Sequence, residues 1–226
     1  MKQLNKSTGV FSTVSGRTGG TLHGEYTKRI VDLVIAIPLS LMALPLMLLL
    51  MLLIRLDSSG SPVFTQTRVG RGGRPFTIYK LRTFHTRSFG IFPDEEIRWG
   101  DPRVTRAGHL LRRSKLDELL QLVNILMGDM SLVGPRPDIP CQASAYGDVE
   151  SRRLALRPGL TGIAQISGNT WLGWSQRIQL DLWYIDNRSL LLDLKILLLT
   201  IPVMLRGERR VDDPLNVCKL LSINSP

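Results

Sequence analysis

The chain is poor in the residues that build covalent or metal scaffolds. Its 226 residues include two cysteines, Cys141 and Cys218, and three histidines. Two cysteines exclude a disulfide framework, and the spacing of His23, His85 and His109 matches no metal-ligand pattern. Reduced thiols facing a cytosol are the simple reading. Aromatic residues are scarce at 6%, which speaks against the stacking platforms of single-strand nucleic-acid binders. Acidic residues are outnumbered, with 19 Asp and Glu against 29 Lys and Arg. Long apolar runs are missing except for one, so a polytopic membrane protein is excluded. Hydrophobic residues still reach 43%, which excludes general disorder.

The single long run is Leu33 to Ile54, 22 residues without a charge. About 20 residues suffice to cross a bilayer as a helix. The run starts too late and is too long for a secretory signal. Lys28 and Arg29 precede it and Arg55 follows it, so both flanks carry the cations typical of a cytoplasmic side. Pro38 and Pro45 lie inside and can each bend a helix. These features predict a helix over 25–56 that enters the membrane, bends and returns to the same face. Asp32 stands one turn beyond Lys28 and Arg29, at a spacing that allows an ion pair. Residues 1–24, rich in Ser, Thr and Gly, read as a flexible tail.

Of the 29 cations 22 are arginine, the residue suited to forked contacts with phosphate and carboxylate. The window from Arg68 to Lys115 holds twelve cations and four acids, so it carries +8 of the formal +10. Pro62 to Val69 alternates like a strand, Gly70 to Pro75 reads as a turn, and Phe76 to Thr83 alternates again. A β-hairpin presenting Arg68, Lys80 and Arg82 is expected. A solvated face explains Arg71 and Arg74 at its tip, but fits Lys80 and Arg82 less well, since apolar residues surround them. A nucleic-acid footprint is the other meaning of such a patch. The apolar run and the absence of a binding motif argue against it, and no nucleic-acid partner is expected.

Beyond it, Ser114 and Asp117 have the spacing of a capping box, and Leu116, Leu119, Leu120, Val123 and Met127 recur at helical spacing up to Gly128. Asp117 and Glu118 then fall in the first turn of an amphipathic helix. Acids there complement the helix dipole, which is the ordinary explanation. The chemical alternative starts from Arg112, Arg113 and Lys115 alongside. Facing these cations, Asp117 is expected to have a depressed pKa and to stay ionised. An ionised carboxylate can attack phosphorus, and Glu118 would be free to hold Mg²⁺ with phosphate oxygens. Gly128 to Pro137 forms a stiff loop that aims Arg136, and the loop from Arg157 to Gln165 is a second of the same kind.

These segments resemble the bacterial sugar transferase family, the monotopic phosphoglycosyl transferases. Four stretches carry the likeness: Lys28-Arg-Ile-Val-Asp32; Pro62-Val-Phe with Ile78-Tyr-Lys-Leu-Arg-Thr83; Ser114-Lys-Leu-Asp-Glu-Leu-Leu-Gln-Leu-Val-Asn124 with Gly128-Asp-Met-Ser-Leu-Val-Gly-Pro-Arg-Pro137; and Arg157-Pro-Gly-Leu-Thr-Gly162 with Leu180-Asp-Leu-Trp-Tyr and Leu192-Asp-Leu-Lys-Ile. The resemblance implies an α+β fold: a small membrane-anchored domain with a re-entrant N-terminal helix, a short β-hairpin and amphipathic interfacial helices. It implies a cytoplasmic catalytic domain over 57–207, including the interfacial helices, and a C-terminal tail over 208–226. The implied reaction moves a sugar 1-phosphate from a UDP-sugar to polyprenyl (undecaprenyl) phosphate at the bacterial inner membrane, with the catalytic domain facing the cytoplasm. UMP leaves, and the lipid product primes exopolysaccharide, capsule, O-antigen or glycoprotein glycan synthesis. The implied route is a phosphosugar on Asp117, with Mg²⁺ on Glu118. Lys80, Arg112, Arg136 and Asp181 match positions that contact phosphate or substrate, and Arg82, Arg157 and Gln165 are grouped with them. A homodimer is compatible with the interfacial helices, and a non-catalytic scaffold of a glycan-assembly complex is the alternative. The sequence departs from the family pattern at Leu44, where Ser often precedes Pro45, and at Asn169, where Arg is usual. It resembles the small form, without the multi-helix membrane domain of larger relatives.

Overall fold

The structure is a computed structural model that describes residues 22–86, 101–207 and 214–222. The first element is a 36-residue helix, α1 (Leu22–Asp57), which contains both prolines. Only 22% of its most apolar stretch is buried, too little for the core helix of a soluble domain. Its buried residues form one stripe: Asp32, Ala36, Ala43, Met47, Leu50 and Ile54. Spacings of three, four and seven keep that stripe on one side of a helix. The other sides leave Leu41, Met42, Leu48 and Leu52 exposed. Ser40 donates to the carbonyl of Ala36 rather than to one freed by Pro38 or Pro45.

Strands β1 (Val63–Val69) and β2 (Pro75–Leu81) form the expected antiparallel hairpin, with Phe64 opposite Lys80 and Arg68 opposite Phe76. Helices α2 (Arg106–Ser114) and α3 (Gln121–Met127) follow. Then come β3 (Ser131–Val133), the short helices α4 (Pro140–Ala143) and α5 (Asp148–Ser151), and β4 (Gly159–Thr161), which runs parallel to β3. The chain continues through α6 (Ile163–Ile166), α7 (Trp174–Asn187) and α8 (Leu190–Arg206) to α9 (Leu215–Ser222). At the β3–β4 end the loops touch backbone to backbone. A Cβ on Gly159 would lie 2.1 Å from the Gly134 nitrogen, so only glycine fits there.

One core joins α1, the inner side of the hairpin, α3, β3, α7 and α8. α1 is tied to it at both ends. At its start Lys28 pairs with Asp193 at 2.6 Å, and Arg29 donates to the carbonyls of Ile125 and Leu126. Asp32 accepts from the Ser131 hydroxyl at 2.7 Å and the Leu132 N–H at 3.2 Å. At its end Asp57 accepts from the Ala107 N–H, and Arg82 donates to the carbonyls of Ser58 and Ser59.

Three expectations are corrected. Ser114 does not cap the helix that holds the acidic pair. It ends α2, and its hydroxyl donates back to Leu110. Lys115 then turns left-handed at φ 58°, and a 3-10 turn spans Leu116–Glu118 before α3 begins. The conformation costs a non-glycine residue about 1 kcal/mol, and the Lys115 N–H offsets part of this by capping α2 at Arg112 and Leu111. Val123 and Met127, expected inside, are exposed, while Leu122 and Ile125 are buried. The stretch read as a C-terminal tail contains α9, which packs Cys218 and Leu221 into the core. Residues 1–21, part of the stretch read as a tail, lie outside the described residues, as do 208–213 and 223–226.

Candidate active site

The 3-10 turn between α2 and α3 brings Asp117 and Glu118 against the inner face of the hairpin. Side chains alternate along a strand, so Gln66 and Arg68 on β1 share that face with Ile78 and Lys80 on β2. Lys80 Nζ reaches Glu118 Oε1 at 2.8 Å, and Arg136 Nη2 reaches the same oxygen at 2.9 Å. Burial pushes the Glu118 carboxyl up, but Arg136 and Lys80 outweigh it and hold the group well below the usual carboxylate range. Glu118 is therefore an anion between two cations.

Asp117 is different, and the expected depressed pKa is reversed. Burial and the neighbouring Glu118 charge push its carboxyl up, against the pull of Lys80, Lys115 and Arg112. The two cations that make ion pairs at the site, Lys80 and Arg136, reach Glu118 and not Asp117. Asp117 Oδ1 is buried and has no hydrogen-bond partner among the described residues. A buried carboxylate oxygen normally has a partner, so this atom is placed to receive one. Arg112 stacks over the Phe84 ring, 5.3 Å from its centre.

Arg136 is held from behind. Arg68 donates to the Pro137 carbonyl and to Gln66, and Arg153 donates to the Arg136 carbonyl at 3.0 Å. Arg153 lies over both the Tyr146 and Trp174 rings, which also touch each other, and pairs with Asp138 and Asp181. Burial and Arg136 push Arg68 down to about 10, so it remains cationic at neutral pH. Burial pushes Asp181 up to about 6, while Arg153 pulls it the other way.

The structure thus brings Lys80, Arg136, Asp117 and Glu118 together. Asp181 serves the Arg136 loop through Arg153. Arg82 lies elsewhere: the residue is 1% exposed and its guanidinium bonds Ser58, Ser59 and Thr86, so it fastens the exit of α1. Arg157 donates to the Gly128 carbonyl at the far end of α3. Gln165 is buried beside Gly162, with both amide atoms unpartnered among the described residues. Sequence reasoning passed over Arg68 as a site residue, although strand alternation puts it on the same face of the hairpin as Lys80. It also missed Arg153, which no local pattern marks.

Magnesium usually keeps water and phosphate ligands and takes one or two carboxylates. The unpartnered Asp117 oxygen beside the Glu118 carboxylate fits that donor set. Among the described residues no cluster of three or more metal-ligating side chains occurs, so a closed all-protein cage is absent.

An acidic pair in a field of arginine and lysine, in a chain with one long apolar helix, is thus the setting of the site. The chain belongs to the bacterial sugar transferase family, whose profile matches residues 23–207. It is 46% identical over 208 residues to the UDP-glucose:undecaprenyl-phosphate glucose-1-phosphate transferase of Caulobacter vibrioides, covering 85% of this chain and 76% of that protein. It is 43% identical over 185 residues to the uncharacterized sugar transferase EpsL of Bacillus subtilis, covering 80% and 88%. It is 38% identical over 195 residues to the exopolysaccharide production protein ExoY of Rhizobium meliloti, covering 80% and 86%.

Proposed function

We propose that the protein transfers a sugar 1-phosphate from a UDP-sugar to undecaprenyl phosphate, releasing UMP, in the priming of an exopolysaccharide or related bacterial glycan. The observation that carries this reading is the buried, unpartnered Asp117 oxygen beside a Glu118 already neutralised by Lys80 and Arg136. An Asp117 oxygen attacks the phosphorus that bears the sugar. The bond from that phosphorus to the bridging oxygen breaks, and UMP departs with the oxygen and its electron pair. The acceptor's phosphate oxygen then attacks the same phosphorus and frees Asp117. Both substrates are anions, so Lys80, Arg136 and Arg112 lower their repulsion and stabilise charge in the transition state. Mg²⁺ held by Glu118 with the donor phosphates would screen the diphosphate and favour the ionised form of Asp117.

The same reading places α1 in the cytoplasmic leaflet of the inner membrane as a re-entrant helix. A straight helix from Glu25 to Asp57 would be about 48 Å long, well over the ~30 Å apolar thickness of a bilayer. Yet both of its ends are bonded to one body, at Asp193, Ile125 and Ser131 on one side and Ala107 and Arg82 on the other. A helix that delivered one end across the bilayer could not keep both sets of bonds. Exposed Leu190, Leu194, Leu198 and Leu205 on α8 give a second apolar face suited to the interface.

The test is UMP release from a panel of UDP-sugars by detergent-solubilised protein with Mg²⁺, with and without polyprenyl phosphate. One donor is expected to give a burst without acceptor, comparable to the amount of enzyme, and steady turnover with it. Asp117→Asn should lose both while still floating with liposomes. Substantial turnover by Asp117→Asn would refute the nucleophile.

A further inference from the structure

A second charged cleft lies at the other end of α3, away from Asp117. It is lined by Glu25, Lys28, Arg29 and Asp32 of α1, by Arg157, and by Arg188 at the α7–α8 junction, together with Ser131 and Leu156. Arg29 and Arg157 both meet the C-terminal end of α3. Arg29 donates to Ile125 and Leu126, and Arg157 donates to Gly128 at 3.0 Å. Cations there are favoured by the helix dipole, but the two guanidiniums also repel one another. Glu25 engages Arg188 and Arg71, and Lys28 engages Asp193 and Asp32. Five cations therefore face three acids, Glu25, Asp32 and Asp193, leaving the cleft positive by two. Both terminal nitrogens of Arg157 are without a hydrogen bond among the described residues.

The position of these cations is informative. Directly after Arg29 come Ile30 and Val34, exposed by 61% and 65%. Directly after Arg188 and the α8 cap Ser189 come Leu190, Leu191 and Leu194, each also exposed by over 40%. Two helices thus change from basic to apolar surface at the same level, with Arg157 between them. A ligand that fits has a phosphate head and hydrocarbon chains. We propose that this cleft binds the phosphate of an anionic glycerophospholipid, with its acyl chains along the exposed faces of α1 and α8. The inference rests on the membrane placement given above, but not on the transfer chemistry.

The probe is phosphatidylglycerol, with phosphatidylcholine as the neutral control, titrated into the detergent-purified full chain and followed by native mass spectrometry. One phosphatidylglycerol per chain should be retained and phosphatidylcholine should not. Each basic residue near a membrane surface contributes enough to change binding about fivefold. Arg157→Gln with Arg188→Gln should therefore weaken retention by about 25-fold. Arg74→Gln with Arg113→Gln removes the same charge elsewhere and should leave it unchanged. Glu25→Gln removes an acid from the cleft and should strengthen retention, an effect that misfolding cannot imitate. Equal retention of the two lipids, or full retention by the Arg157–Arg188 double variant, would overturn the proposal. So would one-for-one displacement of phosphatidylglycerol by a polyprenyl phosphate, because the cleft would then belong to the acceptor. Flotation with phosphatidylcholine liposomes tests the membrane placement separately, since it needs no anionic lipid.

Discussion

Asn124 offers the sharpest test of how the site is held in place. Its side chain is fully buried and stands where a neighbouring strand would be. Its amide nitrogen donates to the Thr77 carbonyl at 2.7 Å, and its amide oxygen accepts from the Tyr79 N–H at 3.1 Å. The amide therefore pairs with β2 one residue before Lys80, and ties α3 to the strand that delivers Lys80 to Glu118. Asn124→Ala removes both partners and leaves two backbone groups unmatched. At ~1–2 kcal/mol for each group, the loss is about 2–4 kcal/mol. For a chain of this size that lowers the melting temperature by about 5–15 °C. Three further N–H groups, from Gly128, Asp129 and Met130, bond the Asn124 main-chain carbonyl and are untouched by the change. Asn124→Asp is the finer probe. It keeps the acceptor for Tyr79 but sets an anionic oxygen against the Thr77 carbonyl, close to Asp129. Its stability should recover on acidification, when the carboxyl can donate again, whereas Asn124→Ala should show no such recovery. Thermal unfolding in detergent, followed by circular dichroism across pH, measures both. A loss below about 0.5 kcal/mol for Asn124→Ala, or a pH-independent Asn124→Asp, would refute the reasoning.

Glu118→Gln should destabilise the fold at neutral pH, because it leaves Lys80 and Arg136 facing each other without their anion. The folded pKa of Glu118 lies well below its ordinary value of 4.5, so its contribution is present above that value and disappears as pH falls through the folded one. The gap between wild type and Glu118→Gln in urea unfolding should accordingly narrow below pH 4.5, and a constant gap down to about pH 3 would count against the assignment. Gly108→Ala should be severely destabilising, since its Cβ would sit 2.1 Å from the Thr83 carbonyl oxygen and 2.8 Å from its carbonyl carbon, main-chain atoms that cannot swing away. Near-normal yield and melting temperature for that variant would show that α2 does not pack as closely on Thr83 as described.

Much of the architecture was legible because it depends on local periodicity. Pro62 to Val69 and Phe76 to Thr83 alternate at period two, and they form the hairpin. The run from Leu33 to Ile54 lies within one helix. What could not be read depends on neighbours distant in sequence. Leu116, Leu119, Leu120, Val123 and Met127 have perfect helical spacing, yet Lys115 breaks the backbone before them and the buried side of α3 is a different one. The direction of the Asp117 shift depends on burial and on which carboxylate the cations reach first, and sequence supplies neither. α9 was passed over because it is short and begins beyond a charged stretch, but Cys218 and Leu221 find room in the core.

The arginines explain why composition alone points only part of the way. A basic window next to an acidic pair reads as substrate binding, but several of these guanidiniums are spent on backbone carbonyls. Arg82 gathers Ser58 and Ser59, Arg29 gathers Ile125 and Leu126, and Arg153 holds Arg136. An arginine has five donors in a rigid fork, so it can close a chain reversal that a lysine, with a single nitrogen, cannot. These clamps sit where α1 leaves the body, where α3 ends and where the Gly-Pro loop turns. Each fastens a segment next to the Lys80, Arg136, Asp117 and Glu118 cluster or the helix that leads to it. On the proposed reading, the charge that meets phosphate and the charge that stiffens its frame are therefore drawn from the same residue type, and only the contacts separate them.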